Sequence, residues 1–426
     1  MPNATDAAAE DASRLAAELA LGAVDSLPAG ALAERLRAAR EQGRPLRVKL
    51  GIDPTAPDIH LGHAVVLVKL RQFQEAGHRV VLIIGDYTAR VGDPSGRSSL
   101  RPMLEEEQIE ANAATFQEQA LKILDPDPER LEVRHNSEWL EMSMLELLGL
   151  LRTTTAAQML ERDDFAKRWT AREPISMLEL LYPLLQGYDS VAVAADVELG
   201  GTDQKFNLLL GRDIQRAYGQ PEQAILTMPI LVGTDGRRKM SKSLGNQIGI
   251  TDPPEEMYGK VMSIPDEAMA EYRRLLIEPG ARAGEDGNGD TTGLSRDTTG
   301  LSRNTTGLSP RDAKHALARA LVAWLHSEAE AQAAERHFDL VVVQGAAPEE
   351  VPGASFAAED GMLHLPGLIA EEFGISRSEA RRLIDQGAVT LDEQALAAGE
   401  HDVPSVRADG KVLKVGRRRF RRLRAE

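Results

Sequence analysis

The stretch Arg47–Ile84 reads RVKLGIDPTAPDIHLGHAVVLVKLRQFQEAGHRVVLII. Arg47–Ile52 has the character of a strand, and Asp53-Pro54-Thr55-Ala56-Pro57 breaks it. From Leu61 to Ala76 the pattern turns helical and stops at Gly77. Arg79–Ile84 is a short β-branched run of the buried-strand type. Strand, helix and buried strand within about 40 residues form a βαβ unit, which calls for a parallel sheet.

Outward from this unit, residues 11–43 read as one or two amphipathic helices ending at Gly43. Asp86 to Pro102 is a loop rich in Gly, Ser and Arg. Helical patterns follow over about 105–124, 144–161 and 176–189, with strand candidates at Val191–Glu198 and Ile225–Val232. Residues 254–278 and 310–335 look helical, so the chain passes from α/β to mostly α. Between them, DTTGLSR stands at 290–296 and 297–303 and NTTGLSP at 304–310. Such polar heptads cannot bury a core and read as a surface insertion over 281–310 without assigned function. Gly353 to Gly361 reads as a linker. Ser376 then caps a basic helix, with Glu379 completing a capping box and Gly387 ending it. Alternating strands pass through Val389, Leu391, Val412 and Val415. The expected organisation is an α/β catalytic domain over 1–250, an α-helical domain over 251–352 and a small α+β domain over 358–426.

Composition bounds the function. At 426 residues the chain has room for about three domains. It contains no cysteine, which removes disulfides, thiolate catalysis and cysteine-held zinc. The N-terminus lacks the basic start and apolar stretch of a signal peptide, and no apolar run reaches the ~18 residues of a membrane span, so the cytoplasm is expected. The net charge of −16 argues against coating by nucleic acid. It is uneven: from Met362 onward twelve Lys and Arg face ten Asp and Glu, +2 against −18 for the rest. Arg417, Arg418, Arg419, Arg421, Arg422 and Arg424 crowd into eight positions. A local basic patch on an acidic chain points to one polyanion bound at one place.

Two short motifs carry chemistry. His60-Leu61-Gly62-His63 opens the helix after the first strand. An i, i+3 spacing puts both imidazoles on one side of the first turn, at a helix N-terminus that favours phosphate. Gly62 allows close approach to the backbone. Lys239-Met240-Ser241-Lys242-Ser243 lies in a loop bounded by Gly236 and Gly245. Two ammonium groups there can close over a leaving pyrophosphate. Taken singly, each motif reads as readily as surface histidines or a solvated basic loop. Their position in a βαβ sheet, whose ligands bind beyond strand C-termini, tilts the reading to function.

These motifs resemble the HIGH and KMSKS signatures of class I aminoacyl-tRNA synthetases, and their surroundings resemble the bacterial tyrosyl-tRNA synthetases. The resembling stretches are Leu50–His63 (LGIDPTAPDIHLGH), Gly92–Arg97 (GDPSGR), Tyr182–Asp189 (YPLLQGYD), Gly200–Asn207 (GGTDQKFN) and Lys239–Asn246 (KMSKSLGN). Ile375–Asp392 (ISRSEARRLIDQGAVTLD) is similar to the S4 RNA-binding fold. The resemblance implies a Rossmann-like catalytic domain, an anticodon-binding helical domain and an S4-like domain.

It also implies roles. His60, His63, Lys239 and Lys242 would carry catalysis, and Asp53, Thr55, Gly62, Gly201, Asp203, Met240 and Arg97 would bind ATP. Asp189 would accept from the tyrosine phenol. Tyr182, Gln186 and Asp93 would hold the α-ammonium, with Gln204 near the carboxylate. Arg377, Arg381, Arg382, Arg417, Arg418 and Arg419 would contact RNA. The implied partners are L-tyrosine, ATP with Mg2+ and tRNA(Tyr) on a homodimer, with no tightly held protein metal and no membrane. A site built around a substrate hydroxyl rejects the analogue lacking it; tyrosyl-tRNA synthetases are themselves the established example. Independently, Tyr182, Gln186 and Asp189 fall at i, i+4 and i+7 on one helix face flanked by leucines.

Leu61 departs harmlessly from the usual isoleucine. Lys49 stands where many members have a tyrosine: its ammonium either donates to the phenol oxygen or points elsewhere. A tryptophanyl-type enzyme and a non-catalytic RNA-binding relative are the alternatives. A nicotinamide oxidoreductase would need G-x-G-x-x-G after the first strand, where Gly51-Ile52-Asp53-Pro54 stands.

Overall fold

The computed structural model describes residues 4–55, 57–94, 105–278, 308–344, 346–347, 351–416 and 419–426. The repeat segment 281–307 lies outside them, as do Arg97, Arg417 and Arg418. The described residues divide into two units. One joins Met1–Pro253 with Lys260–Leu325, and the other joins Pro254–Gly259 with His326–Glu426.

The first unit is built on six strands: β1 (Asp25–Leu27), β2 (Arg47–Ile52), β3 (Arg79–Ile84), β4 (Leu131–His135), β5 (Val197–Gly201) and β6 (Ala224–Met228). Their order is β1-β6-β5-β2-β3-β4. All pairs are parallel except β1 with β6. Strands β2 to β6 thus show the Rossmann-like order, with the reversal between β2 and β5. Val80 to Ile84 are fully buried, as a sheet covered on both faces requires.

The βαβ unit forms at the expected positions: β2, the helix Leu61–Glu75 and β3. Other elements differ. The N-terminal region is two helices, Ala4–Leu19 and Ala31–Glu41, separated by the edge strand β1. The region 144–161 splits into Met144–Leu151 and Ala156–Leu160, because Thr155 caps a new helix by accepting from the Gln158 N–H. Val191 belongs to the last turn of the helix Met177–Ala192, and the strand begins only at Val197. Strand β4 reads LEVRH, an alternating pattern too short and polar to stand out.

In the second unit, β7 (Gly353–Phe356), β8 (Met362–His364), β9 (Val389–Leu391), β10 (Gln394–Ala395), β11 (Asp402–Pro404), β12 (Val412–Val415) and β13 (Arg419–Ala425) form a five-stranded and a two-stranded sheet. The reading of Gly353–Gly361 as a linker is corrected: β7 pairs in parallel with β13 and buries Ala354 and Phe356. Ser376 does cap the helix Arg377–Asp385, accepting from the Glu379 N–H at 3.1 Å. The reciprocal half of the capping box is absent, since the Glu379 carboxylate pairs with Arg382.

Candidate active site

A cleft of about 230 Å³ opens at the C-terminal ends of β2 and β3, lined by Gly51, Ile52, Asp53, Ile83, Gly85, Thr88, Asn136, Tyr182, Gln186 and Asp189. It sits beside the strand-order reversal, where an open α/β sheet leaves a crevice. Gly85 is required there: a Cβ would lie 2.2 Å from Asp53 Oδ1 and 2.5 Å from Thr88 Oγ1.

Tyr182, Gln186 and Asp189 come from the helix Met177–Ala192, which carries Pro183 internally. Asp189 is 3% exposed. Its Oδ1 accepts from Trp139 Nε1 at 2.8 Å and its Oδ2 from Asn136 Nδ2 at 3.5 Å. Burial pushes its carboxyl up to about 6, against the opposing pull of Lys49 and these two donors. Asn136 also donates to Thr88 Oγ1 at 2.9 Å, and Thr88 donates to Asp53 Oδ1 at 2.7 Å. The Tyr182 hydroxyl donates to Asp53 Oδ2 at 2.9 Å. Burial pushes Asp53 up to about 7, with Thr88 and Tyr182 pulling down and the Asp93 and Asp189 charges pushing further up.

Beside this lies a chain of amides. Gln204 Nε2 donates to Asp93 Oδ2 at 2.9 Å, while Asn207 Nδ2 donates to Gln204 Oε1 at 3.0 Å and to Gln186 Oε1 at 2.9 Å. Asp93, Gln186 and Gln204 are therefore oriented before any ligand arrives. Lys49 points away from the cleft, into the layer beneath it, and pairs with Glu198 at 2.7 Å. It is not a donor to the cleft.

The two motifs meet. His60 caps the helix Leu61–Glu75 in an extended conformation. Its ring stacks on His63 with centroids 3.9 Å apart and an interplanar angle of 17°. Gly62 leaves room for this stack: a Cβ would lie 3.0 Å from the His60 ring. Burial drives His60 down to about 3 and His63 to about 4, so both are neutral imidazoles at neutral pH. The buried His60 Nδ1 has no partner. The stretch Ile248–Ile250 is zipped onto Ile59–Leu61: Leu61 N–H donates to Ile248 O at 2.9 Å and Ile250 N–H to Ile59 O at 3.0 Å. This pairing brings the lysine loop to the histidines.

The loop itself is folded around Asn246, which is 3% exposed. Its Oδ1 accepts from Ser241 N–H at 2.9 Å, and its Nδ2 donates to Asp235 Oδ2 at 3.1 Å and Lys239 O at 3.2 Å. Met240 is buried, with its Cβ 3.6 Å from where a Gly62 Cβ would stand. Lys239 and Lys242 are exposed; Lys239 lies 3.7 Å from Asp203 Oδ2, and Lys242 pairs with Asp58. Thr55 N–H donates to Asp53 O at 2.8 Å. A Cβ on Gly201 would meet Asp203 Oδ1 at 2.6 Å. In the second unit, Arg377, Arg381, Arg382 and Arg419 are exposed.

Three polar residues that fix the cleft's carboxylates were not foreseen: Thr88 and Asn136, which line it, and Trp139, which holds Asp189. Asn136 and Trp139 follow β4, so the signal for them was a strand ending in a loop that also carries one of only three tryptophans.

Comparison with known proteins places the chain in a family. Residues 41–342 match the family model described as tRNA synthetases class I (W and Y). A tyrosine–tRNA ligase of Moorella thermoacetica is 50% identical over 404 residues, covering 94% of each chain. Another, of Thermotoga maritima, is 50% identical over 382 residues, covering 89% of this chain and 90% of its own. The crystal structure of a tyrosyl-tRNA synthetase of Archaeoglobus fulgidus complexed with L-tyrosine superposes with a TM-score of 0.56 at 27% identity, covering 76% of this chain and all of that one. With the family model spanning most of the chain and such relatives aligned nearly end to end, this protein belongs to the class I tRNA synthetases of the tryptophan and tyrosine family.

Proposed function

We propose that this chain is a tyrosine–tRNA ligase, which activates L-tyrosine with ATP and transfers it to the 3′ end of tRNA(Tyr). The observation that carries the choice of tyrosine is Asp189, a buried acceptor fixed by Trp139 and Asn136 at the end of a small cleft. A phenol gives it a further hydrogen bond; phenylalanine would bury its remaining acceptor capacity without a donor. The family also covers tryptophan enzymes, but an indole N–H needs a differently placed acceptor, and the relatives above are named for tyrosine. The intact histidine and lysine motifs speak against a non-catalytic RNA-binding relative.

The reaction joins the tyrosine carboxylate to the α-phosphorus of ATP and breaks the bond to pyrophosphate. Asp53, Asp93, Tyr182 and Gln186 form the polar wall that receives the α-ammonium, and Gln204 lies next to Asp93 for the carboxylate side. His60 and His63, being neutral, donate hydrogen bonds rather than charge. Lys239 and Lys242 supply the positive charge, leaving Asp203 and Asp58 for the polyphosphate as negative charge develops on the leaving group. Asp203 is then free for the nucleotide ribose, with Gly201, Gly62, Met240, Thr55 and Arg97 around the remainder of ATP. Positioning supplies much of the acceleration. Magnesium enters with ATP, held mainly by phosphates and waters.

The arginines of the second unit, Arg377, Arg381, Arg382, Arg417, Arg418 and Arg419, contact the tRNA backbone, with residues 251–352 as the anticodon-binding domain and 358–426 as the S4-like domain. A homodimer is supported by Met144, Leu145 and Met177, which are 70%, 79% and 75% exposed on two helices that pack together. Among the described residues no helix is long and apolar enough to cross a membrane, and the cytoplasm is the proposed location.

The test is amino-acid-dependent ATP–pyrophosphate exchange run separately with each amino acid. Exchange with tyrosine alone is expected; exchange with tryptophan alone, or with none, would overturn the reading.

A further inference from the structure

Beneath the cleft lies a buried ion pair that the chemistry above does not use. Lys49 on β2 and Glu198 on β5 are direct neighbours across the two strands where the sheet order reverses. Their side chains are 0% and 2% exposed, with Nζ 2.7 Å from Oε1. Lys49 also donates to Ser190 Oγ at 2.8 Å and to Gln186 O at 3.0 Å, which uses all three of its protons. Glu198 Oε2 accepts from Ser190 Oγ at 3.1 Å and from Gln223 on the loop before β6. Gly211 lets the neighbouring helix cover the cluster, since a Cβ there would lie 3.4 Å from both Glu198 Oε2 and Ser190 Oγ.

Such a pair is a poor way to gain stability. Desolvating two charges costs about what their attraction returns, and an aliphatic pair of similar volume would serve as well. What an aliphatic pair could not do is hold the helix. Lys49 grips the Gln186 carbonyl and the Ser190 hydroxyl, one residue beyond Asp189, in the turn following Pro183. Two residues further along the same face of β2 stands Gly51, where a Cβ would lie 4.0 Å from Asp189 Oδ2. The pair therefore supports the tyrosine-reading carboxylate from below.

We propose that Lys49 and Glu198 are positioning residues for tyrosine recognition, fixing the Gln186–Ser190 turn so that Asp189 and Gln186 meet the substrate in one arrangement. This rests on the tyrosine-activating reading given above. Besides position, the pair sets charge. Asp189 is faced by Lys49 from β2, by Glu198 from β5, by Asp53 from the loop after β2 and by Tyr182 on its own helix, with Trp139 and Asn136 as neutral donors. Lys49 is the only cation of this set and favours the ionised form that accepts from a phenol.

The experiment compares wild type with two neutral pairs, K49M/E198M and K49Q/E198Q, in tyrosine- and phenylalanine-dependent pyrophosphate exchange across pH. The aliphatic pair should raise the tyrosine KM about tenfold and lower the tyrosine-to-phenylalanine ratio, with the ATP KM unchanged. The amide pair, which keeps hydrogen bonds to Gln186 and Ser190, should recover most of that loss. Both should move the acid limb of tyrosine binding to higher pH. Unchanged tyrosine KM and acid limb, or equal rises in the tyrosine and ATP KM, would overturn the inference. If the aliphatic pair fails to fold, the acid limb of the amide pair decides alone. A wild type that exchanges with tyrosine while the variants match it sinks only this inference; a wild type with no tyrosine exchange sinks the reading and the inference together.

Discussion

Trp139 Nε1 donates to Asp189 Oδ1 at 2.8 Å, tying the loop after β4 to the helix Met177–Ala192 that lines the cleft. The indole N–H has no other use here, and the carboxylate it holds is nearly inaccessible to water. Trp139→Phe keeps the ring and removes the donor. Losing one hydrogen bond to a buried charge costs about 1.5–3 kcal/mol. The tyrosine-to-phenylalanine ratio of kcat/KM in pyrophosphate exchange should fall by roughly tenfold to a hundredfold, and an unaltered ratio would show that Trp139 does not orient Asp189.

Asp53 has a raised pKa, so the folded protein holds a proton that the unfolded chain has lost between about pH 4 and its folded value of about 7. Its contribution to stability therefore falls as pH rises through that window. His60 and His63 act in the opposite sense: they bind protons less well when folded, so their contribution rises with pH from about 3 for His60 and about 4 for His63 up to about 6.5. Asp53→Asn removes only the first effect. The variant should gain about 3–4 kcal/mol over wild type at pH 8 and less than half of that, about 1–2 kcal/mol, at pH 5, while binding tyrosine more weakly. Chemical denaturation at the two pH values reads this out; an equal gain at both would contradict the assigned ionisation.

Because both imidazoles are neutral above pH 6, no catalytic limb between pH 6 and 8 belongs to them. His60→Ala should lower kcat for adenylate formation by roughly a hundredfold, the cost of one transition-state donor, with the tyrosine KM nearly unchanged. The shape of the pH profile in that range should persist. A limb that vanishes with His60 would mean that the imidazolium is the working form.

Lys242 pairs with Asp58, and both are partly exposed. Asp58→Asn should change stability by less than about 1 kcal/mol, as is usual for such pairs. It releases Lys242 from a competing anion, so the KM for ATP should fall, and titration with ATP in the absence of tyrosine should show tighter binding. A higher ATP KM would make Asp58 a support for the loop instead of a competitor for its lysine.

The tail sheet begins at β7, so a truncation that respects the fold ends the chain before Gly353. Such a truncation should weaken tRNA charging more than tenfold while adenylate formation stays near wild type, since the arginines proposed to hold phosphates are removed and the cleft is not. Equal loss of both activities would assign the tail a structural role in the catalytic unit.

Much of this protein was legible before any coordinates. The βαβ unit of Arg47–Ile84 needed only local signals: a strand-like run broken by Asp53-Pro54, a helix bounded by His60 and Gly77, and the β-branched run Arg79–Ile84. The i, i+4, i+7 spacing of Tyr182, Gln186 and Asp189 placed them on one helix face, and the structure has all three lining one cleft. Strands β1 and β4 were not legible, because edge strands are short and half-polar and draw their stability from a neighbour rather than from their own pattern. With β4 unseen, Asn136 and Trp139 could not be connected to Asp189, 53 and 50 residues away.

The sequence by itself determined the class of sheet, the positions of the histidine and lysine motifs and the helix that carries Tyr182, Gln186 and Asp189, since each is encoded in residues close together along the chain. Only the tertiary structure decided how the groups are charged and where they point. The neutrality of His60 and His63, the raised carboxyls of Asp53 and Asp189, and the turn of Lys49 away from the cleft toward Glu198 all follow from burial and from partners on other strands. Desolvation and long-range pairing depend on what surrounds a group in space, and no local pattern records that.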